Sequence, residues 1–268
     1  MNIRRWSVGV IAATLLVPGV AACNSGTTAE SPAAGSSTAP AVPADPKEAL
    51  LASTKGLAEG NYTFAIAADG MTGKGVFNKP ANSAQMTMNM NVENIAFDFE
   101  LIQIQPDIWL KIDLGELFAG VPGMEAMKDK YQHLDAAKAG QSKNLDLLKE
   151  GGDPAEAAEM FKGVTDVKQT GEGAYSGKVD LSAVKDSVAA DEDMIKALGA
   201  QAKEIPFTAK LDPEGRLTEL VVSVPGAGEI KAQDIKITYA DYGAAPAVQK
   251  PAADQVIEAN EQIYEMFK

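Results

Sequence analysis

The chain has 268 residues, with 24 Lys or Arg against 37 Asp or Glu, so its formal charge is −13. Nucleic-acid affinity comes mostly from Lys and Arg displacing counterions, so this charge excludes nucleic acid as a partner. The chain has one Cys and one His, which excludes an intrachain disulfide, thiolate zinc sites and paired-His metal sites. We therefore predict no metal, no cofactor and no catalytic residue.

Residues 1–22 have the layout of a lipoprotein signal peptide. Arg4 and Arg5 precede an almost unbroken apolar run at 7–17, and small residues follow it. A positive start, a short apolar segment and a small-residue end are typical of a secretory signal. The apolar run is much shorter than the roughly 20 residues that a membrane-spanning helix needs. We expect this segment to export the chain and to be removed.

The signal ends in Val20-Ala21-Ala22-Cys23, which resembles the lipobox of bacterial lipoproteins. The resemblance implies thioether diacylation of Cys23, cleavage before it and acylation of the new N-terminus. The single Cys of the chain lies at the one place where such a modification would occur. Two or three acyl chains hold a protein firmly to a bilayer. We predict that Cys23 anchors the protein to the outer face of the cytoplasmic membrane.

Residues 23–46 are predicted to be a lipid-anchored, flexible linker. The segment is rich in Ser, Thr, Ala, Gly and Pro and has few large apolar residues, so burial cannot offset the entropy of ordering it. Treated as a random coil, it spans roughly 25–30 Å. Residues 47–268 are then predicted to form a single folded domain that can reorient close to the membrane.

The folded part begins with a predicted helix and strand. Asp45 and Pro46 fit the cap and the first turn of a helix, and Gly60 is placed to end it. Residues 62–67 then alternate in apolar character with a period of two, as a strand does. A return strand is expected to begin near Gly75.

The stretch from Met86 to Leu101 predicts a long antiparallel hairpin with one apolar face. Apolar residues occupy every second position up to Val92 and again from Ile95. A two-residue loop at Glu93-Asn94 places all of them on one face, because directly opposed residues share a face. A slip of one residue would mix the two faces, so the pattern fixes the register. The predicted pairs are Val92 with Ile95, Met90 with Phe97, Met88 with Phe99 and Met86 with Leu101.

The later part of the chain contains further predicted strands and helices. They are a strand at 108–112, a largely helical stretch from 115 to 163 with a short helix after Asp153-Pro154, strands at 164–169 and 174–180, a helix at 181–201 and a terminal helix at 252–267. Residues 205–224 predict a second hairpin, with Pro213 and Gly215 placed for a type I turn. The last strand, 229–239, changes parity midway, which predicts a bulge near Gln233-Asp234.

This order of elements predicts an α+β fold. The strands come as consecutive hairpins, and the helices are inserted between them as one or two blocks. We expect one strongly curved antiparallel sheet, a half-barrel, with helices packed on its concave face.

Four features of the chain share a family pattern. They are the lipobox, the linker, the hairpin FTAKLDPEGRL at 207–217 and the strand IKITYADYG at 235–243. Together they resemble the actinobacterial LppX/LprAFG lipoproteins, whose fold is similar to that of the LolA/LolB lipoprotein carriers. The resemblance implies a half-barrel closed by helices around an apolar cavity that holds the acyl chains of lipids or glycolipids.

The apolar hairpin face allows two interpretations. It is either core beneath the helices or, in part, the wall of a cavity. Met is flexible and polarisable, which suits a partner of variable shape. The cavity interpretation, with the family resemblance, predicts these lipid-lining residues: Met86, Met88, Met90, Val92, Ile95, Phe97, Phe99, Leu101, Phe207, Ile235 and Ile237.

The sequence therefore predicts a non-enzymatic carrier or chaperone of lipids or glycolipids in the cell envelope. Its expected partners are the lipid ligand, the membrane through Cys23, and an envelope transporter or acceptor protein. The alternative is an envelope interaction or sensor module with a packed core and no ligand. A carboxylate-based hydrolase is a third possibility, although no pair of acids is marked as catalytic. We interpret His133 as a helix-edge or loop residue.

Overall fold

Twelve β-strands and five short α-helices occur in the part of the chain that the computed structural model describes. That part comprises residues 42–92, 95–113, 115, 127–135, 147–148, 153, 155–183, 192–228 and 230–265. The strands are β1 (Asn61–Ala68), β2 (Met71–Asn78), β3 (Ser83–Val92), β4 (Ile95–Ile104), β5 (Asp107–Asp113), β6 (Tyr131–Leu134), β7 (Thr165–Gly171), β8 (Ala174–Val179), β9 (Ile205–Leu211), β10 (Leu217–Val224), β11 (Gln233–Ala240) and β12 (Val256–Glu258). The helices are α1 (Pro46–Ser53), α2 (Lys55–Glu59), α3 (Ala157–Lys162), α4 (Glu192–Leu198) and α5 (Glu261–Glu265).

These strands form one sheet in the order β12-β6-β5-β4-β3-β2-β1-β11-β10-β9-β8-β7. Neighbouring strands are antiparallel, except that β12 pairs with β6 in parallel. The sheet is open, with β12 and β7 at its two edges. The α+β class is thus confirmed, as a mostly antiparallel sheet with few helices.

The first helix begins where the sequence predicts. The Asp45 side chain accepts a hydrogen bond of 2.9 Å from the backbone N–H of Glu48, which caps α1. The predicted continuous helix is in fact two helices, because the chain leaves α1 at Thr54. The Thr54 hydroxyl donates to the carbonyl of Leu51, and such local bonds compete with helix continuation. Gly60 ends α2 in the left-handed conformation, with φ 65°.

The β3–β4 hairpin has the predicted register. Each of the four predicted pairs is observed, from Val92 opposite Ile95 to Met86 opposite Leu101. The Glu93-Asn94 loop itself lies outside the described residues. Pairing with β2 and β5 extends the rows of opposed residues on both sides of the hairpin. One apolar face therefore runs across four neighbouring strands.

The second half of the sheet also follows the sequence, with one correction. The pairs β7–β8 and β9–β10 form as predicted, within one or two residues at their ends. The predicted bulge near Gln233-Asp234 is wrong, because β11 begins at Gln233 and pairs with β10 in continuous register. The parity changes because Ile230 precedes the strand and bridges to Ala227 in a tight turn.

Three of the predicted helical segments are wrong in part. Within 115–163, residues Tyr131–Leu134 form strand β6, whereas the short helix after Asp153 is confirmed as α3. Within 252–267, the chain forms β12 before the five-residue helix α5. The segment 181–201 contains α4 between two 3₁₀ turns, and its residues 184–191 lie outside the described ones. Strands of three or four residues offer too few positions for a period of two to be distinguished from helical spacing.

The buried apolar residues form two clusters. The larger one combines residues of α1 to α4 with residues of β1 to β3 and β8 to β11. Within it, the Phe161 ring of α3 lies 5.9 Å from the Phe207 ring of β9. The smaller one combines residues of β4, β5 and β6 with Ile263 and Tyr264 of α5. Phe99 packs against both clusters, so it lies at their boundary.

A partly buried carboxylate, that of Asp153, joins α3 to the sheet. Asp153 accepts hydrogen bonds from the hydroxyl of Tyr239 in β11, at 2.7 Å, and from the backbone N–H groups of Ala155 and Ala157, at 3.1 and 2.7 Å. Burial raises the pKa of Asp153, and these three hydrogen bonds oppose that rise. Tyr239 thus connects the start of α3 to the centre of the sheet.

We expect Tyr239→Phe to lower the free energy of unfolding by about 1–3 kcal/mol, because it removes one hydrogen-bond donor from a partly buried carboxylate and keeps the ring. Urea unfolding at neutral pH measures the loss. Tyr175→Phe is the matched control, since Tyr175 is 4% exposed against 3% for Tyr239 and lies three strands away, in β8. Equal losses in the two variants would contradict the linking role of Tyr239.

Candidate functional site

The residues predicted to line a lipid cavity fall into three groups. Five are buried in the core clusters, namely Met88, Leu101, Phe207, Ile235 and Ile237. Four keep part of their surface accessible, namely Met86, Met90, Phe97 and Phe99. Val92 and Ile95 pair as predicted, but their side chains lie outside the described part of the structure. Among the described side chains, the same sheet face is thus core in one region and partly accessible in another.

The accessible members lie together on β2, β3 and β4. Met71 of β2 opposes Met90 of β3, which in turn opposes Phe97 of β4. Met86 and Phe99 lie on the same face in the neighbouring rows and pack against the larger cluster, as does Met71. We call Met71, Met86, Met90, Phe97 and Phe99 the apolar strip.

The end of the apolar strip reaches the surface beside the β1–β2 turn. The hollow beside this turn lies mainly on the opposite, polar face. Its lining residues are Thr72, Asn89, Asn91, Ala96 and Asp98, together with Ala68, Gly70, Met71 and Met90. Met71 is not evident as a face residue from the sequence, because glycines occupy the next apolar-face positions of β2 and hide the alternation. Its position opposite Met90 is the signal that could have revealed it.

Two glycines let neighbouring side chains lie flat across β2. A Cβ atom at Gly73 would overlap the sulfur of Met88, and one at Gly75 would overlap the ring of Phe64. Both glycines are on the apolar face, since Gly75 opposes the buried Phe64 and Gly73 opposes Met88. Side chains of β1 and β3 therefore cover the apolar face of β2, and we call this surface the β2 wall.

We expect Gly75→Ala to lower the free energy of unfolding by about 1–3 kcal/mol, the usual range for overpacking a core. The added Cβ would meet the rigid Phe64 ring and also the backbone oxygen of Gln85, at 2.6 Å. Gly73→Ala is the control and should cost less, because the Met88 thioether can rotate away. Urea unfolding compares the two. A larger loss in the Gly73 variant would contradict this account of the β2 wall.

The opposite face of the same strands is polar. The amide of Asn89 donates to Asp98 at 2.6 Å, and the amide of Gln85 donates to Glu100 at 2.8 Å. The hydroxyl of Tyr131 in β6 donates to the second oxygen of Glu100 at 2.9 Å. These cross-strand pairs give the carboxylates of β4 partners on the solvent side. The two faces of β3 and β4 thus differ in chemistry as the alternation predicts.

His133 also lies on the polar face, between two carboxylates. Its Nε2 is 3.0 Å from Oδ1 of Asp107 and its Nδ1 is 3.2 Å from Oε1 of Glu258, while its ring stacks on Trp109 at 5.7 Å. Burial by itself lowers the pKa of His133, but the hydrogen bonds to Asp107 and Glu258 outweigh it and raise the pKa. The interpretation as a helix-edge or loop residue is wrong. His133 belongs to β6 and joins β12 to the sheet.

We expect His133→Gln to reduce stability more at low pH than at high pH. Because the pKa of His133 is raised above 6.5 in the folded protein, its stabilisation is complete below that value and is lost as the pH rises through the folded pKa. Both partners are partly exposed, so the effect should stay below about 1 kcal/mol. Lys250, whose ammonium group lies 4.9 Å from the Trp109 ring on which His133 stacks, is kept in both proteins.

The measurement is urea unfolding of wild type and His133→Gln at about pH 5.5 and about pH 8.5, on either side of the titration. The difference between the two proteins should shrink at the higher pH. A difference that is constant with pH would contradict the charged pairing.

Within the described residues, no group of three His, Cys, Asp or Glu side chains is placed to hold a metal ion. No helix in the described ranges is both long enough and apolar enough to cross a bilayer. Comparison with known proteins finds no family model that matches the sequence and no curated protein that matches it.

Proposed function

We propose that this protein is an exported, lipid-anchored carrier or chaperone that binds the acyl chains of lipids or glycolipids in the cell envelope. The observation that carries the proposal is the apolar strip, which gathers five partly accessible apolar side chains on one sheet face. The anchor is Cys23, and the protein works without enzymatic chemistry at the outer face of the cytoplasmic membrane. An envelope transporter or acceptor protein exchanges the cargo.

The dimensions of the apolar strip suit an acyl chain. From Met90 to Met86 it extends over four residues of β3, or roughly 13 Å, and it spans three strands, or roughly 10 Å. Each methylene group that it removes from water stabilises the complex by about 0.8 kcal/mol. A saturated chain lying along β3 therefore gains several kcal/mol from this contact alone.

The chemistry of the apolar strip suits cargo of variable shape. Three of its five members are Met, whose unbranched thioether side chain adapts to irregular partners. Phe97 and Phe99 supply flat, rigid surface beside them. This combination favours a flexible hydrocarbon chain over a ligand of fixed geometry.

The proposal includes the half-barrel and its helical cover. Long sheets twist, and a twisted sheet of many strands curves. Helices α1 and α3 contribute Leu50, Met160 and Phe161 to the same cluster as the apolar face. Helices on the concave face of such a sheet enclose the space in front of the apolar strip and exclude water from bound chains.

The position of the linker gives the carrier an orientation. Val42 lies against Gly215 in the β9–β10 turn, at the end of the sheet where β1 and β10 begin. Met71 and the Asp69-Gly70 turn follow the other end of β1, so the partly accessible Met71 and Met90 lie at the end of the sheet opposite Val42. A linker that spans roughly 25–30 Å is about as long as one strand. It therefore lets the open end turn toward the membrane or toward an acceptor.

The decisive experiment is mass spectrometry of the organic extract of residues 24–268, exported with a cleavable leader. This fragment includes the whole compact unit Thr38–Lys268 and has no anchor of its own. Stoichiometric acyl lipid would support the carrier and identify the cargo class. Lipid-free protein that also takes up no added lipid would overturn it.

A specific observation favours the alternative, an envelope interaction or sensor module with a packed core. Leu101, Phe207 and Ile237, which the sequence predicts to line a cavity, are fully buried among protein side chains. On that alternative the apolar strip is the edge of the core. The same extract would then contain no lipid.

We expect Met90→Gln to weaken acyl-chain binding at least about fivefold, because the near-isosteric amide has to be desolvated against hydrocarbon. Displacement of a fluorescent fatty acid measures the affinity. Asn91→Gln is the matched control, since Asn91 is the next residue of β3 and is exposed on the polar face. Loss of binding in both variants, or in neither, would contradict the assignment of the strip.

A further inference from the structure

Gln132 of β6 lies on the apolar face, at the end of a row that begins in the apolar strip. Met86 opposes Leu101, Leu101 opposes Leu110, and Leu110 opposes Gln132. Directly opposed residues point to the same face of a sheet. On its other side Gln132 opposes Ile257 of β12. The row thus places one amide among aliphatic side chains.

The carbonyl of this amide has no partner in the described part of the protein. Gln132 is 2% exposed, and its Oε1 accepts no hydrogen bond from any described residue. A buried carbonyl without a donor costs stability, and buried polar groups are almost always hydrogen-bonded. Leu, with a similar volume, would fill the same position without that cost. Packing alone therefore does not account for an amide at this position.

Gln103 of β4 provides the contrast. It is also 2% exposed, and it lies on the same face, where it opposes Ile108 of β5. Its Oε1 accepts a hydrogen bond from the backbone N–H of Leu148, at 3.3 Å. Gln103 thus holds a neighbouring segment against the sheet. Of the two buried amides on this face, the oxygen of Gln103 accepts a hydrogen bond within the fold and the oxygen of Gln132 does not.

We propose that Gln132 is the polar contact for the cargo, with Oε1 accepting a hydrogen bond from a hydroxyl group next to the bound acyl chain. This inference rests on the proposed function. Gln132 lies two strands from Phe99, or about 10 Å, a distance that one acyl ester can span. Leu101 and Leu110 lie between them and are fully buried, so a ligand that reaches both has to displace the side chains that cover this row. The hydroxyl belongs to the glycerol or the sugar part of an acyl ester.

The chemistry of a carbonyl acceptor defines the selectivity. A hydroxyl group donates to Oε1 and meets its unfilled hydrogen-bonding capacity. A methyl ester has no hydrogen-bond donor. A fatty-acid carboxylate at neutral pH is only an acceptor, so it cannot hydrogen-bond to the Oε1 carbonyl oxygen. The site therefore prefers hydroxylated acyl esters to free fatty acids and to simple esters.

The test compares residues 24–268 as wild type, Gln132→Leu and Gln103→Leu. The probes are monopalmitoylglycerol, a palmitoyl glucose ester, methyl palmitate and palmitate, each titrated by displacement of a fluorescent fatty acid. The wild type should bind a hydroxylated ester about three- to tenfold more tightly than methyl palmitate, as one hydrogen bond allows. Gln132→Leu should abolish that preference and leave methyl palmitate unaffected. The tighter of the two hydroxylated esters identifies the source of the hydroxyl.

Thermal unfolding without lipid gives a second readout, because Tm should change in opposite directions in the two variants. Gln132→Leu should raise Tm by about 2–4 °C, because it removes an unpaired buried carbonyl, and Gln103→Leu should lower it. A lowered Tm for Gln132→Leu would overturn the inference, since the amide would then serve the fold. Equal binding of hydroxylated and methyl esters by the wild type would also overturn it. Failure of the wild type to bind any probe would instead overturn the proposed function.

Discussion

The strict alternation of apolar and polar residues along β3 and β4 is the constraint on which the rest of the structure depends. Through pairing with β2 and β5, one row of opposed residues runs from Gly73 through Met88 and Phe99 to Ile112. A shift of one residue would turn Met88 and Phe99 to solvent and bring the Asp98 carboxylate into the core. Burying an unpaired carboxylate destabilises a fold by far more free energy than any single apolar contact contributes. One hairpin register therefore fixes both the core and the apolar strip.

The sequence predicts elements well where alternation extends over many residues. Strands β3 and β4 have ten residues each, and their pairing was predicted pair by pair. Strands β6 and β12, with four and three residues, were predicted as helix. Elements this short take their conformation from the strands beside them and not from their own pattern. Met71 was missed for a related reason, because Gly73 and Gly75 interrupt the apolar pattern that would have extended the face to β2.

The sequence predicts which face a side chain occupies, but not how deeply it is buried. Leu101 is fully buried, whereas Phe99 lies two residues away on the same face and stays partly accessible. Depth depends on which helix or loop covers each position, and that is decided by contacts distant in sequence. The same limit applies to polar residues. Gln103 and Gln132 are equivalent in the sequence pattern, and only the structure distinguishes an amide that binds a backbone N–H from one that does not.

The ladder between β1 and β11 also determines how the sheet is assembled. It brings Thr63 into hydrogen-bonding contact with Asp241, which lies 178 positions further along the chain. The hairpins β1–β5 and β8–β11 are local and form early, whereas closing a loop of this length is slow. The two halves of the sheet meet only at this ladder, so each has an unpaired edge strand until the ladder forms. Such edges are complementary between molecules as well as within one. At high protein concentration we therefore expect β1 of one chain to be able to pair with β11 of another, which would give a strand-swapped dimer.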